Sequence, residues 1–244
     1  MGKKVFTDED SLIKYFFTLL KNPNNIYRGY NKDEELYPQI IRYEDLSKKE
    51  FAFLDEFEKY GSTYFSTNND MEFLSTAQHY GLPTRLLDFT SNPFIALFFA
   101  INKEKEGDDF YKIVYCDINS CKVIDNEMNP SRYDLKKAHE KGKDILETKY
   151  KLRCSHTIGL KCRFQNFGHT DKLFIVKPNF SNIRITMQQG LFMIPTTLDK
   201  VKHDELIKKN TNLILIHKSL RPSLLKYLDI LGFNTFRLMP DLAS

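Results

Sequence analysis

Five small sets of residues carry the side chains with which this chain could do chemistry. Arg28, between Tyr27 and Gly29, presents a planar fork that pairs in bidentate fashion with phosphate or carboxylate, and the glycine leaves room for another backbone or a ligand to approach. An arginine on a strand is also an ordinary salt-bridge partner. Gln78, His79 and Tyr80 follow, polar or ring-bearing, just ahead of a break from Gly81 to Pro83. His79 reads either as a proton carrier or as a satisfied histidine of core or surface. Asp88 is a lone acid in an apolar run and reads as buried. It is a candidate general base, with His79 and Tyr80 as alternatives, or equally a structural anchor for the Arg85 guanidinium or a nearby backbone turn. Thr90 and Ser91 lead into Asn92-Pro93, a helix start with Ser91 or Asn92 as cap and Pro at the first helical position. Free N–H groups in that turn would hold an anion, or the turn is simply a good cap on a core helix. Gln188 and Gln189 precede Gly190 in an apolar stretch. Read as strand, one of the two faces the interior or a cleft, where its amide needs partners.

The elements that must position these residues are legible from periodicity. Helices are expected over Asp8–Leu20, Lys48–Tyr60 and Met71–Tyr80, the last stopped by Gly81, and a nearly all-apolar helix over Phe94–Ala100. Strands are expected over Ile26–Tyr30, Tyr111–Ile118, Leu173–Val176, Ile183–Gly190 continuing to Pro195, and Leu213–His217. Arg221–Leu231 reads as a helix ended by Gly232. Between them, Ser131–Arg153 is polar and lysine-rich, an exposed helical insertion spanning about residues 131–165. Helices fall early and strands mostly late without regular βαβ alternation, so the fold class is α+β.

Composition narrows the function classes. A chain of 244 residues with net charge +4 fits one large domain, and the charge is too mild to argue for nucleic acid by itself. An RNA-directed reading, resting on basic and aromatic surface, is weakened by that charge. Cys116, Cys121, Cys154 and Cys162 lack CxxC spacing, so no metal site is expected and reduced thiols in a cytoplasm fit best. Met1-Gly2-Lys3-Lys4 opens no apolar leader, and the apolar run Phe16–Leu20 is too short to span a membrane.

Four blocks in order, YRG at 27–29, QHYGLPTRLLDFTSNPFIALFFA at 78–100, RITMQQGLFMI at 184–194 and LGFNTFRLMPDL at 231–242, resemble the FRG domain family, named for its (Phe/Tyr)-Arg-Gly motif. Phe89 stands where that family usually has Trp, keeping an aromatic ring. On this resemblance residues 1–244 form a single FRG-like domain. More remotely, an arginine on an early strand, a Thr-Ser turn before an apolar helix and a late strand with an acid or amide resemble the Arg–Ser–Glu layout of ADP-ribosyltransferases, which implies an antiparallel, split β core that binds NAD in a cleft. That resemblance implies that Arg28, with Gly29 and Tyr80, holds the NAD pyrophosphate or ribose. Thr90 and Ser91 would shape the nicotinamide side, and Gln188 or Gln189 would replace the glutamate. A glutamine can orient the ribose 2′-OH but carries no charge, so the acceptor needs another base, for which His79, Asp88 and Tyr80 are the candidates, or none. The implied activity is NAD-dependent ADP-ribosyl transfer to a protein or nucleic acid, as a toxin or phage-defence effector with an antitoxin or defence-system partner. The alternative is a non-catalytic nucleotide-binding module.

Overall fold

The computed structural model describes residues 2–43, 45–61, 69–104, 107–124, 156–157, 160, 173–178, 183–195 and 197–239. Most of the polar insertion expected at about 131–165 therefore lies outside the described residues, as do Cys154 and Cys162.

Eight strands form one mixed sheet among the described residues: β1 (Lys3–Phe6), β2 (Asn25–Tyr30), β3 (Leu87–Thr90), β4 (Phe110–Asp117), β5 (Lys122–Ile124), β6 (Phe174–Val176), β7 (Gly190–Ile194) and β8 (Asn212–His217). Their order across the sheet is β1-β8-β4-β2-β3-β7-β6-β5. The inner pairs are antiparallel, while β1 runs parallel to β8 and β5 parallel to β6. The expected α+β class holds, with a mixed rather than antiparallel sheet. Its strands are not mostly late, because β1 precedes the first helix and β2 and β3 are threaded between the early helices.

Side-chain alternation along the strands separates the core into packed regions. Tyr27, Tyr111, Ile113, Ile214 and Ile216 face three helices. These are α1 (Glu9–Leu20), α5 (Pro93–Ile101) and α8 (Arg221–Ile230). The opposite face, including Ile26, Leu87, Val114 and Met193, meets Leu206 and Ile207 of α7 (Lys200–Asn210). Phe174, Phe192 and Ile194 pack against Leu54, Phe73 and Leu74 of α3 (Glu50–Tyr60) and α4 (Asp70–His79). Short helices α2 (Gln39–Arg42), α6 (Ile183–Met187) and α9 (Thr235–Leu238) complete the described set.

Local chemistry fixes the helix starts. Asp8 accepts the Ser11 amide at 2.9 Å, and Leu12, Phe16 and Leu19 then give α1 its buried stripe. Between the two cap candidates before α5, Asn92 takes the role, accepting the Phe94 amide at 2.9 Å with Pro93 next.

One expected strand is a helix. Ile183–Gly190 alternates apolar and polar residues, yet Ile183–Met187 forms α6, and Gln188 and Gln189 form the turn between it and β7. The short helix ends through Gln188 N–H to Arg184 O and Gln189 N–H to Thr186 O, at 2.9 and 3.0 Å. Gln189 takes the left-handed conformation, φ 46°, that more often falls to glycine at a helix end. Five residues are too few for periodicity to separate strand from helix, and tertiary packing decides.

Candidate functional site

β2 and β3 are joined by a single register pair, Tyr27 opposite Thr90. Beyond it the two strands part, whereas β2 stays paired with β4 over all six of its residues and β3 with β7 over all four. The sheet is thus split beside Arg28, and the candidate site lies at the split.

Arg28 bridges the gap. Its Nη1 donates to the Asp88 carbonyl at 2.6 Å, and its Nε and Nη2 both donate to the Glu35 carbonyl, at 3.1 and 2.8 Å. Three of its five N–H donors are therefore used on backbone oxygens. The Asp88 carboxylate stands 4.0 Å away. Burial pushes the guanidinium below its usual pKa, and the Asp88 charge opposes that shift. Gly29 has a different task from the ligand approach that sequence allowed: a Cβ there would lie 1.7 Å from the Ala96 carbonyl oxygen, so its missing side chain lets α5 sit on β2.

Asp88 is not buried. Its side chain is 59% exposed, because residue alternation along β3 turns Leu87 and Phe89 inward and Asp88 outward into the cleft. Nor does it anchor Arg85, whose Nε and Nη2 pair with both oxygens of Glu50 in a buried bidentate bridge. What holds Asp88 is Gln78, whose amide nitrogen donates to it at 3.0 Å; Gln78 is fixed in turn by the Thr84 hydroxyl, at 2.6 Å from its carbonyl oxygen. An exposed carboxylate on a hydrogen-bonded mount remains available to a ligand.

The Thr90–Ser91 turn does not offer the anion site that its sequence allowed. Ser91 N–H goes to Gln189 O at 3.1 Å, Asn92 N–H to Thr90 Oγ1 at 3.1 Å, and Phe94 N–H to the Asn92 cap. These three donors are satisfied within the chain. Thr90 itself lines the cleft.

Two adjoining hollows of about 240 and 300 Å³ share Arg28, Asp88, Arg184 and Gln188 as walls. Gln188 faces them, with its amide nitrogen donating to Leu238 O at 2.7 Å and its carbonyl accepting no hydrogen bond among the described residues. Gln189 instead sits at the edge beside Ser91, 3.4 Å from its hydroxyl. The question of which glutamine meets the cleft is answered by the turn and not by strand alternation. His79 is exposed on the rim of the larger hollow. Tyr80 is exposed and stacks edge-on with His79, outside the lining of both hollows.

Sequence reasoning missed Arg42, Glu35 and Lys103, and it quoted Arg184 without giving it a role; all four line the cleft. Arg42 and Glu35 sit on short helical turns with no periodic signal. Arg184 lay inside the stretch misread as strand. Among the described residues no group of three or more His, Cys, Asp or Glu side chains could hold a metal ion, and no helix is long and apolar enough to cross a membrane. Cys116 and Cys121 are buried free thiols with sulfurs 4.0 Å apart, and the contact with Cys121, together with burial, raises the Cys116 pKa.

Compared with known proteins, residues 23–109 match the model of the FRG domain, which supports the FRG family for this chain. The matched span holds Arg28, Gly29, Asp88 and the Thr90–Ser91 turn, and excludes Gln188. No curated protein and no solved structure matches the chain.

Proposed function

With the FRG-family match as premise, we propose that this protein is an NAD-dependent, ADP-ribosyltransferase-like enzyme that moves ADP-ribose onto a macromolecule. One observation carries the reading. Strands β2, β3 and β7, which hold Arg28, lead into the Thr90–Ser91 turn and follow the Gln188–Gln189 turn, are neighbours in the sheet, and Arg28, Asp88 and Gln188 line a common cleft. Motifs up to 160 positions apart thereby converge on one split in the sheet.

In this reaction the bond between ribose C1′ and the nicotinamide nitrogen breaks, and its electron pair leaves with nicotinamide. The oxocarbenium-like carbon accepts a pair from the acceptor's oxygen or nitrogen, whose proton passes to a base. Gln188, its carbonyl oxygen unused among the described residues, orients the ribose 2′-OH. Asp88 supplies the negative charge that a glutamine lacks and takes the acceptor's proton, with His79 as a second proton acceptor on the rim. Arg28 keeps the split open at a fixed width.

The test is incubation of the purified protein with labelled NAD and a cell lysate, beside Asp88→Asn and Gln188→Ala. Label on protein or nucleic acid, lowered on the order of a hundredfold by Asp88→Asn at an unchanged melting temperature, is the expected result. A folded wild-type protein that consumes no NAD across a range of lysates refutes it. The second reading, a nucleotide-binding module without chemistry, is favoured by the absence of a carboxylate at Gln188-Gln189. Saturable NAD binding without turnover would establish that reading instead.

A further inference from the structure

The Arg28–Asp88 contact divides the cleft into two lobes of different character. The smaller lobe, about 240 Å³, sets Phe89, Phe99 and Met239 beside Glu35 and Lys103, and it shares Arg28, Asp88 and Arg184 with the larger. The larger, about 300 Å³, has three guanidinium groups, Arg28, Arg42 and Arg184, and one carboxylate, Asp88, with Gln39, Ser75 and Gln78 completing a polar wall. That volume is at the small end of ligand pockets, which run from roughly 300 Å³ upward.

How two of these cations are held decides what the lobe can bind. Arg42 Nε donates to the Tyr37 carbonyl at 2.9 Å, as Arg28 does to the carbonyls of Glu35 and Asp88. Neutral oxygens fix their positions; Arg42 keeps its charge uncompensated by that bond, and Arg28 has the Asp88 carboxylate 4.0 Å away as partial compensation. Arg85 in the same protein is the opposite case, neutralised face to face by Glu50. Burial first, and then the like charge of Arg42, lower the proton affinity of Arg28, while the Asp88 carboxylate works against both. Positioned guanidinium groups that repel one another across a polar hollow gain most from a ligand with several anionic oxygens in a compact volume.

We propose that the larger lobe is a phosphate-binding subsite, in which Arg42 and Arg184 together with Arg28 take the oxygens of a diphosphate or other phosphoryl group. The phosphoryl group comes either from a dinucleotide lying across both lobes or from a second ligand. Only the choice of NAD as competitor rests on the proposed activity.

Inorganic pyrophosphate alone, titrated calorimetrically at low ionic strength without divalent metal, tests the subsite. The variants are Arg42→Gln, Arg184→Gln and the pair, with Lys59→Gln on the surface of α3 as control and a thermal melt for each. Wild type should bind. Each single change should weaken binding about tenfold, the pair should abolish it, and the control should leave it unaltered. Arg184 is exposed on a short helix, so its single variant keeps the test decisive if Arg42→Gln lowers stability. Displacement of pyrophosphate by NAD would identify the dinucleotide as the source, and simultaneous binding would identify a second ligand. No binding by wild type, or equal affinity in the folded double variant, overturns the proposal. Pyrophosphate binding lost in the variants, in a protein that never consumes NAD, would refute the enzyme reading and leave the subsite standing.

Discussion

Replacing Gly29 with alanine gives the most direct test of how the cleft is built. The added Cβ would lie 1.7 Å from the Ala96 carbonyl oxygen and 2.8 Å from the Ala100 nitrogen and the Ala96 carbonyl carbon. All three are backbone atoms, so no side chain can turn aside. Ordinary contact begins at 3.4 Å, so α5 would have to withdraw from β2 by the difference from 1.7 Å, about as far again. That helix has eight of its nine residues buried, and such a movement disturbs the packing on every side of it. Inserting one methylene into a tight core costs about 1–3 kcal/mol when side chains can adjust; with backbone on both sides the cost is about 3 kcal/mol or more. In urea, with a slope of about 3 kcal/mol per molar, the unfolding midpoint should fall by about 1 M. Ala96→Gly should give no rescue, because the clash is with a main-chain oxygen. A midpoint within about 0.2 M of wild type, combined with lost NAD or pyrophosphate binding, would refute this reasoning and return Gly29 to a ligand-contacting role.

Two further changes probe charge inside the fold. Glu50→Ala removes the carboxylate paired with the buried Arg85 guanidinium, their side chains being 2% and 8% exposed, and should cost about 3–5 kcal/mol in urea unfolding. The apolar pair Glu50→Leu with Arg85→Met should recover most of that loss, and a double variant as unstable as the single one would contradict the assignment. His203 is fully buried; its Nε2 donates to the Leu36 carbonyl at 2.9 Å, its ring packs on Tyr37, and Asp204 is the charge beside it. Burial lowers its pKa below 6.5, so the unfolded chain binds the proton more readily. Its contribution to stability is complete above pH 6.5 and is lost as pH falls through the lowered folded value. His203→Gln should therefore flatten the difference in unfolding midpoint between pH 7.5 and about pH 5, and an identical pH profile in the variant would contradict this.

Much of the frame was readable because long helices and strands carry a strong period. The stripe Leu12, Phe16 and Leu19, the Asn92-Pro93 start of α5 and the alternation along β4 all translate directly into packed faces. The site was harder to read, since its geometry depends on pairings distant in sequence. Asp88 looked buried among apolar neighbours, but on a strand only every second residue faces inward. Arg85 looked like its natural partner, three positions away, and instead reaches Glu50, 35 positions away, which no local pattern could reveal. Gln188 and Gln189 sat in a stretch whose alternation imitates a strand; five residues of helix and one left-handed glutamine reversed that reading. Arg42 joins the cleft through a single helical turn that carries no sequence signature.

The parallel pairing of β1 with β8 has a consequence for how the chain is made. Lys3 to Phe6 lie beside Leu213 to Ile216, and the Gly2 amide bonds to Asn212 across 210 positions. On the ribosome, β1 has no partner until β8, about 200 residues later, has been synthesised. β4 pairs with β2 early, but its other edge also waits for β8. A nascent chain stalled before Asn212 thus exposes two strand edges at once, each a template for pairing with another chain. Such late closure makes completion of the sheet a slow, long-range event, and the time taken to translate from β4 to β8 sets how long those edges stay open.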